Sequence, residues 1–282
     1  MVRVGVDIGG SGVRAAVVSA DASVGPVSRR ALASRAPDEV LRTVLEVVRP
    51  LRPEVVGVGV PGFVREGTVL ASPNFPEVRD WPLAASLTDA LGCRVAVHND
   101  ANAAALGAWA LDGRERDVVL LTLGTGVGGG VVSEGRLLTG RRGVAAELGH
   151  LYVGGDHPCG CGGRGCLETW LSTSGFRARA AERGLKLASG AELLALADTD
   201  PVARAVLDDG LGALADGLVT LLNLFAPELL VLSGGLAQAQ EVLAPAVDRA
   251  MRRAIPTSVA GLEVRWLGRA DSLAIAGAVE GL

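Results

Sequence analysis

One local plan occurs twice in this chain of 282 residues. Near the amino terminus the strand-like run Val2–Asp7 enters the turn Gly9-Gly10-Ser11-Gly12 and leaves as Val13–Val18. In the middle of the chain Asp117–Leu123 enters Gly124-Thr125-Gly126 and leaves as Val127–Val132. Apolar runs joined by glycine read as hairpins. Taken singly, each turn is no more than a tight hairpin. Together they carry a hydroxyl apiece, Ser11 and Thr125, beside backbone that glycine lets a phosphate approach. Two related lobes facing one ligand need such a pair of turns, and the length suits two domains of about 100–150 residues each.

Composition removes several alternatives. A net charge of −4 offers no footprint for gripping a polyanionic backbone, so nucleic acid is not expected as a partner. Lys186 is the only lysine and no glycine-rich loop precedes it, which excludes a P-loop GxxxxGK[ST] and disfavours Schiff-base chemistry. Aromatic residues are 3% of the chain, too few for a platform of stacked rings. Asp7 interrupts the place where a signal peptide needs its apolar segment, and the longest charge-free stretch, Val118–Ser133, is shorter than the roughly 20 residues of a membrane span. The expectation is a cytoplasmic protein without a membrane partner.

Strand-like and helix-like segments alternate, as in an α/β fold. After the first hairpin come an amphipathic helix at Pro37–Val48, a buried strand at Val55–Val60, a Pro/Gly-rich loop from Pro61 to Pro82, a helix near Leu83–Leu91, a short strand Arg94–His98 and an alanine-rich helix from Asp100 to about Ala110. The polar stretch at 112–117 interrupts the apolar pattern and places a boundary there. The expected division is an amino-terminal lobe, 1–115, joined by the last helix, 271–282, and a larger lobe, 116–270. Beyond the second hairpin the chain reads as mostly helical to Phe225, then strand Leu229–Leu232, the turn Ser233-Gly234-Gly235, a helix to about Arg253, strand Leu262–Leu267 and a final helix.

Three further groups carry chemistry. His98-Asn99-Asp100-Ala101-Asn102 ends a strand and starts a helix. Asn and Asp are preferred caps, but one residue suffices to cap, and a surplus carboxylate at a strand's carboxyl end is a candidate general base. Ser233-Gly234-Gly235 opens a helix, as nucleotide sites often require. Glu147-Leu148-Gly149-His150 is followed by Cys159-Gly160-Cys161 and Cys166-Leu167-Glu168. One imidazole and three thiolates can close a tetrahedral Cys₃His zinc site, with His150 as the fourth ligand and His157 as its rival. Cys93 lies apart and reads as a buried small apolar residue.

With DIGGSG, VPGFV, SPNFP, HNDANAAALG, LGTGVGGG and ELGH joined to CGCGGRGCLE in this order, the chain resembles the ROK family of sugar kinases and related repressors, and within it the bacterial glucokinases. The resemblance covers essentially the whole chain. It implies a two-lobed α/β fold of the actin/hexokinase (ribonuclease H-like) ATPase type with a zinc-binding loop. It also implies an ATP-dependent hexose kinase, glucose first, with Asp100 taking the proton of the 6-hydroxyl. Asn99, Glu147, His150 and Glu168 would hold other hydroxyls, with Gly62 and Asn74 as weaker contacts. Gly9, Gly10, Ser11, Thr125 and Gly126 would meet the phosphates, Asp7 would position magnesium, and Gly234 and Gly235 would lie near the nucleoside. His150, Cys159, Cys161 and Cys166 would hold a structural zinc. Members are commonly homodimers or homotetramers.

This chain departs from the family pattern at three points. Gly12 stands where lysine is usual, leaving Arg14 as the nearest basic residue, and Ala146 stands where glycine is usual. The His150–Cys159 spacing is one residue short, which keeps His157 in contention. DIGGSG is also similar to the polyphosphate-using glucokinases, so polyphosphate is an alternative donor, and N-acetylhexosamine and fructose are alternative acceptors. The repressors carry a helix-turn-helix ahead of the kinase-like part, whereas here the first turn starts at residue 7, which favours the kinase branch; a non-catalytic sugar sensor is the reading from another class, and Asp100 with both phosphate turns argues against it, since a sensor needs no base.

Overall fold

The computed structural model describes residues 1–114, 116–268 and 270–282; Glu115, the last residue of the expected first lobe, lies outside the described residues, as does Arg269. In chain order the elements are β1 (Arg3–Gly9), β2 (Gly12–Val17), β3 (Ser28–Ala31), α1 (Pro37–Val48), β4 (Val55–Val60), β5 (Phe63–Arg65), β6 (Thr68–Ala71), β7 (Arg79–Trp81), α2 (Leu83–Leu91), β8 (Arg94–Asn99) and α3 (Asp100–Leu111). They continue with β9 (Val118–Leu123), β10 (Val127–Ser133), β11 (Arg136–Leu137), α4 (Leu167–Leu171), α5 (Thr173–Glu182), α6 (Gly190–Leu196), α7 (Pro201–Phe225), β12 (Leu229–Ser233), α8 (Gln240–Arg253), β13 (Glu263–Leu267) and α9 (Ala270–Ala278).

Two compact units result. The first comprises Met1–Leu120, Gly130–Ala146 and Ala270–Leu282, and the second Leu121–Gly129 and Glu147–Arg269. The first unit is built on a sheet of order β3-β2-β1-β4-β8, antiparallel across its first three strands and parallel from β1 through β4 to β8. Every residue of β4 is buried, as an interior parallel strand requires. Val40, Val44, Val47 and Val48 of α1 join Val4, Val6, Val56 and Val58 in one core. The second sheet runs β11-β10-β9-β12-β13. Its order matches the first: third, second and first strands, then the two later ones. The sequence-level repeat is thus a repeat of topology.

The segment read as a loop, Pro61 to Pro82, contains a three-stranded sheet, β5-β6-β7. Arg65 pairs with Thr68, so Glu66 and Gly67 form a two-residue turn, with φ of 50° and 79°. Positive φ at both positions is the geometry that hairpin twist favours. Strands of three or four residues are too short to show periodicity, which is why the run of Pro and Gly dominated the reading.

Glycine serves packing as much as turns. A Cβ at Gly5 or Gly57 would overlap the α9 backbone at Ile275 or Ala278, and Gly107 of α3 and Gly277 of α9 leave each other's backbone the same room. The end of α9 is tied down by charge. Glu280 receives Arg114 Nε at 2.9 Å and Arg3 Nη2 at 3.1 Å, with Arg3 also reaching the Val279 carbonyl. No described helix is long and apolar enough to cross a membrane.

Candidate active site

In the first unit, Gly9 stands opposite Gly12, so Gly10 and Ser11 form the tip of the first turn. Asn74 packs against it: a Cβ at Gly10 would lie 2.9 Å from Asn74 Nδ2. Asp7, on the strand leading into the turn, is buried and accepts Arg14 Nη1 at 2.7 Å. Arg14 therefore supplies a cation beside the turn through its carboxylate partner.

The strand-to-helix junction at β8–α3 divides labour between neighbours. Asn99 Oδ1 accepts from Ala101 N at 2.9 Å and Asn102 N at 3.0 Å, capping α3. Its Nδ2 donates to the Gly62 carbonyl at 3.0 Å, fixing the loop after β4. Asp100 Oδ1 accepts Ala101 N at 2.9 Å. Burial pushes its carboxyl above the ordinary aspartate range, against the opposing pull of the Ala101 amide and of its own. Burial lowers the neighbouring His98 imidazole, whose Nε2 has no hydrogen-bond partner among the described residues.

In the second unit the Gly124–Gly126 turn is anchored from α5. Thr173 N donates to the Gly124 carbonyl at 2.9 Å, and Ser174 N and Oγ both donate to the Thr125 carbonyl, at 3.2 and 2.7 Å. Glu168 Oε2 accepts Val127 N at 2.9 Å, which Gly126 permits because a Cβ there would overlap that oxygen. Gly149 leaves the same room for the Val127 carbonyl, drawing the Leu148–His150 turn against β10. Gly234 has φ of 96° and packs on the Leu123 carbonyl, placing the turn after β12 at the end of β9.

His150, Cys159, Cys161 and Cys166 gather with their ligand atoms within 4.8 Å of one another. Cys159 Sγ lies 3.5 Å from His150 Nδ1, and Cys161 Sγ 3.7 Å from Cys166 Sγ. A tetrahedral ion with Zn–S of about 2.3 Å and Zn–N of about 2.0 Å requires edges of roughly 3.8 Å between sulfurs and 3.5 Å from sulfur to nitrogen. The four side chains therefore fit zinc. The cysteines are free thiols. Cys166 is pushed up to about 12 by burial and by the neighbouring thiols, Cys159 is raised by burial, and Cys161 is lowered by the amide of Gly163. Three crowded thiols resist joint ionisation until a cation joins them. His157 is not in this group; it stands edge-on to Trp170 at 4.8 Å and 3.7 Å from Glu182.

The family profile described as ROK matches residues 3–279. The chain belongs to the ROK family. It is 36% identical to a glucokinase of Thermotoga maritima, over 93% of this chain and 90% of that protein. It is 35% identical to an N-acetyl-D-glucosamine kinase of Pectobacterium carotovorum, over 89% and 90% of the two chains. Among solved structures, the Streptomyces griseus ROK glucokinase in complex with glucose and AMPPNP superposes with a TM-score of 0.78 at 28% identity, covering 99% of this chain and 98% of that one. The expected hexokinase-type α/β fold is the fold observed.

For this ROK chain the structure groups Asp7, Gly9, Gly10, Ser11, Gly62, Asn74, Asn99 and Asp100 in the first unit, and Thr125, Gly126, Glu147, His150, Glu168, Gly234, Gly235 and the cysteines in the second. A supporting residue escaped the sequence reading. Arg179 is 1% exposed, donates from Nη2 to the Trp170 carbonyl at the end of α4, and stacks over the Trp170 ring at 4.9 Å. The same indole donates to the Gly154 carbonyl at 3.0 Å, so Arg179 backs both α4, which carries Glu168, and the cysteine loop. An arginine in an alanine-rich helix gives no sign of this in sequence.

Proposed function

We propose that this chain transfers the γ-phosphoryl group of ATP to the 6-hydroxyl of a hexose, glucose first. The observation that carries the reading is the division at β8–α3: Asn99 does the capping, and the adjoining Asp100 keeps a carboxylate of raised pKa for a hydroxyl proton. Asn99, Glu147, His150 and Glu168 hold sugar hydroxyls, with Gly62 and Asn74 in support. Glu168 accepts Val127 N at Oε2 and the Cys159 thiol, 3.7 Å away, at Oε1; a thiolate there would no longer donate, which leaves Oε1 for a sugar hydroxyl. Gly9, Gly10, Ser11, Thr125 and Gly126 meet the phosphates through amides and hydroxyls, Gly234 and Gly235 lie by the nucleoside, and Asp7 positions magnesium. Magnesium supplies charge neutralisation on the transferring phosphates. Zinc, held by His150, Cys159, Cys161 and Cys166, is structural. His150 Nδ1, which faces Cys159 Sγ at 3.5 Å, would hold the ion and leave Nε2 for a hydroxyl.

The test is a coupled assay across glucose, mannose, fructose, N-acetylglucosamine and N-acetylmannosamine, each with ATP and with polyphosphate. Glucose with ATP is expected to give the highest kcat/KM. Asp100→Asn is expected to lower kcat by about 10³-fold while glucose binding survives. In the wild type the acid limb of kcat/KM should lie above the ordinary aspartate value of about 3.9, because the base works only when ionised and burial raises its pKa. Robust turnover by the Asn variant removes Asp100 from its role. A higher kcat/KM for an N-acetylhexosamine would align the chain with the Pectobacterium relative.

A further inference from the structure

Arg179 is a cation sealed inside the second unit with little to pair it. Its side chain is 1% exposed, and Nε and Nη1 have no hydrogen-bond partner among the described residues. Asp209 lies 3.7 Å from Nη1 but takes Arg183 Nη2 at 2.7 Å. The rings of Trp170 and Phe176, with centroids 4.9 and 5.7 Å from the guanidinium carbon, offset part of the missing hydration. Burial lowers this guanidinium to about 10, so it stays charged at neutral pH. An apolar residue of similar length should be at least as stable here, because desolvating a poorly paired cation commonly costs more than its contacts return. Stability therefore does not explain the arginine.

The explanation lies in its one hydrogen bond among the described residues, from Nη2 to the Trp170 carbonyl at 2.5 Å. Trp170 belongs to α4, which has five residues, too few to satisfy the carbonyls of its own last turn. Neighbouring side chains do so instead: Ser172 Oγ donates to the Glu168 carbonyl at 2.7 Å, and Arg179 takes that of Trp170. Gly175 lets α5 approach the Glu168 and Thr169 carbonyls, and Gly210 of α7 leaves room beside the Trp170 carbonyl itself. The Ser172 arm continues to the second phosphate turn, because its hydroxyl lies 2.9 Å from that of Ser174, which donates to the Thr125 carbonyl. The Arg179 arm has no hydrogen bond to that turn among the described residues. The helix that carries Glu168 is thus held by two separate partners, of which one also holds the donor side and the other does not.

We infer that Arg179 is a positioning residue for the acceptor sugar, fixing through the Trp170 carbonyl the short helix that presents Glu168. The inference rests on the reading of Glu168 as a sugar ligand and adds to it a residue too buried to touch either substrate. Losing one charge-assisted hydrogen bond on α4 is expected to raise KM for glucose about tenfold. The variants are Arg179→Met, which keeps length and apolar packing, and Arg179→Lys, which keeps the charge and a donor. Gly210→Ala acts on the same bond from α7, since its methyl would lie 2.9 Å from the Trp170 carbonyl.

In Arg179→Met, KM for glucose should rise with kcat and KM for ATP within about twofold of wild type; Gly210→Ala should move it in the same direction, and Arg179→Lys should recover most of the loss. The urea midpoint of Arg179→Met should equal or exceed that of wild type, which a residue serving stability alone would not allow. Calorimetry should show glucose binding weakened by the same factor without ATP. An unchanged KM for glucose in Arg179→Met overturns the inference, as does an equal rise in KM for ATP. Should Arg179→Met not fold, an unchanged KM for glucose in Gly210→Ala overturns it equally. Glu168→Gln separates the inference from the reading beneath it. If Glu168→Gln weakens glucose binding and Arg179→Met does not, Arg179 alone loses its role; if Glu168→Gln leaves glucose binding unchanged, Glu168 leaves the sugar site and the route from Arg179 falls with it.

Discussion

Ala146 has a φ of 61°, in the left-handed region where a Cβ crowds the following carbonyl. It immediately precedes Glu147 and the metal-side turn, at the position where the family pattern has glycine. Strain of about 1–2 kcal/mol is stored there, against about 0.4–1 kcal/mol of extra unfolded-state entropy that a glycine would bring. Ala146→Gly should therefore stabilise the protein by about 0.5–1 kcal/mol, seen as a higher urea midpoint with an unchanged slope. A lower midpoint would mean that the alanine methyl makes packing contacts worth more than the strain. The site is also where sequence and structure inform each other most directly. Asn99 and Asp100 were legible as cap and surplus carboxylate because helix capping has a fixed residue chemistry. The choice between His150 and His157 was not legible, because both spacings close a chelate; in the structure His150 clusters with the three cysteines and His157 packs against Trp170. Arg179 was invisible for a related reason, since burial of a cation under aromatic rings is set by tertiary contacts alone.

At the scale of elements, α3 and α9 meet through glycine. Gly107→Ala would drive a methyl into the Leu273 carbonyl, with backbone rather than a flexible side chain as the obstacle. The expected cost is about 3 kcal/mol, the upper part of the range for overpacking, read as a fall in the urea midpoint. A loss within a few tenths would show that the two helices separate easily. Since Asp100 opens α3, this variant should also raise KM for the sugar, whereas Gly113→Ala, where a Cβ would meet nothing within 4 Å, would test only the strain of a positive φ. Long elements were legible from period and buried runs: β1, β2, β4, α1 and α7 follow from alternating or helical apolar spacing. The short strands were not. β3 is exposed at all four positions and β5–β7 are three or four residues each, so neither offers a hydrophobic face to detect. The glycines of β1 and β4 were also opaque, because in sequence a glycine that admits a helix resembles one that admits a phosphate.

For the whole molecule, the decisive fact is that neither unit is a continuous length of chain. The division passes through β9 between Leu120 and Leu121 and through β10 between Gly129 and Gly130, and it is crossed again before Glu147 and before Ala270. The clustered side chains of His150, Cys159, Cys161 and Cys166 all belong to the second unit. Loss of order in residues 121–129 would unravel strands that continue into the first unit, so unfolding should be cooperative along the chain even though the zinc loop is local. A structural zinc that binds only the folded form adds its binding free energy to stability. Chelation should therefore move one calorimetric transition downward as a whole, and His150→Ala should reproduce the shift without chelator while His157→Ala leaves the metal content near one per chain. Two resolved transitions, one of them unmoved by chelation, would show that the shared strands do not couple the units. Equal zinc retention in the two histidine variants would remove His150 from the ligand set.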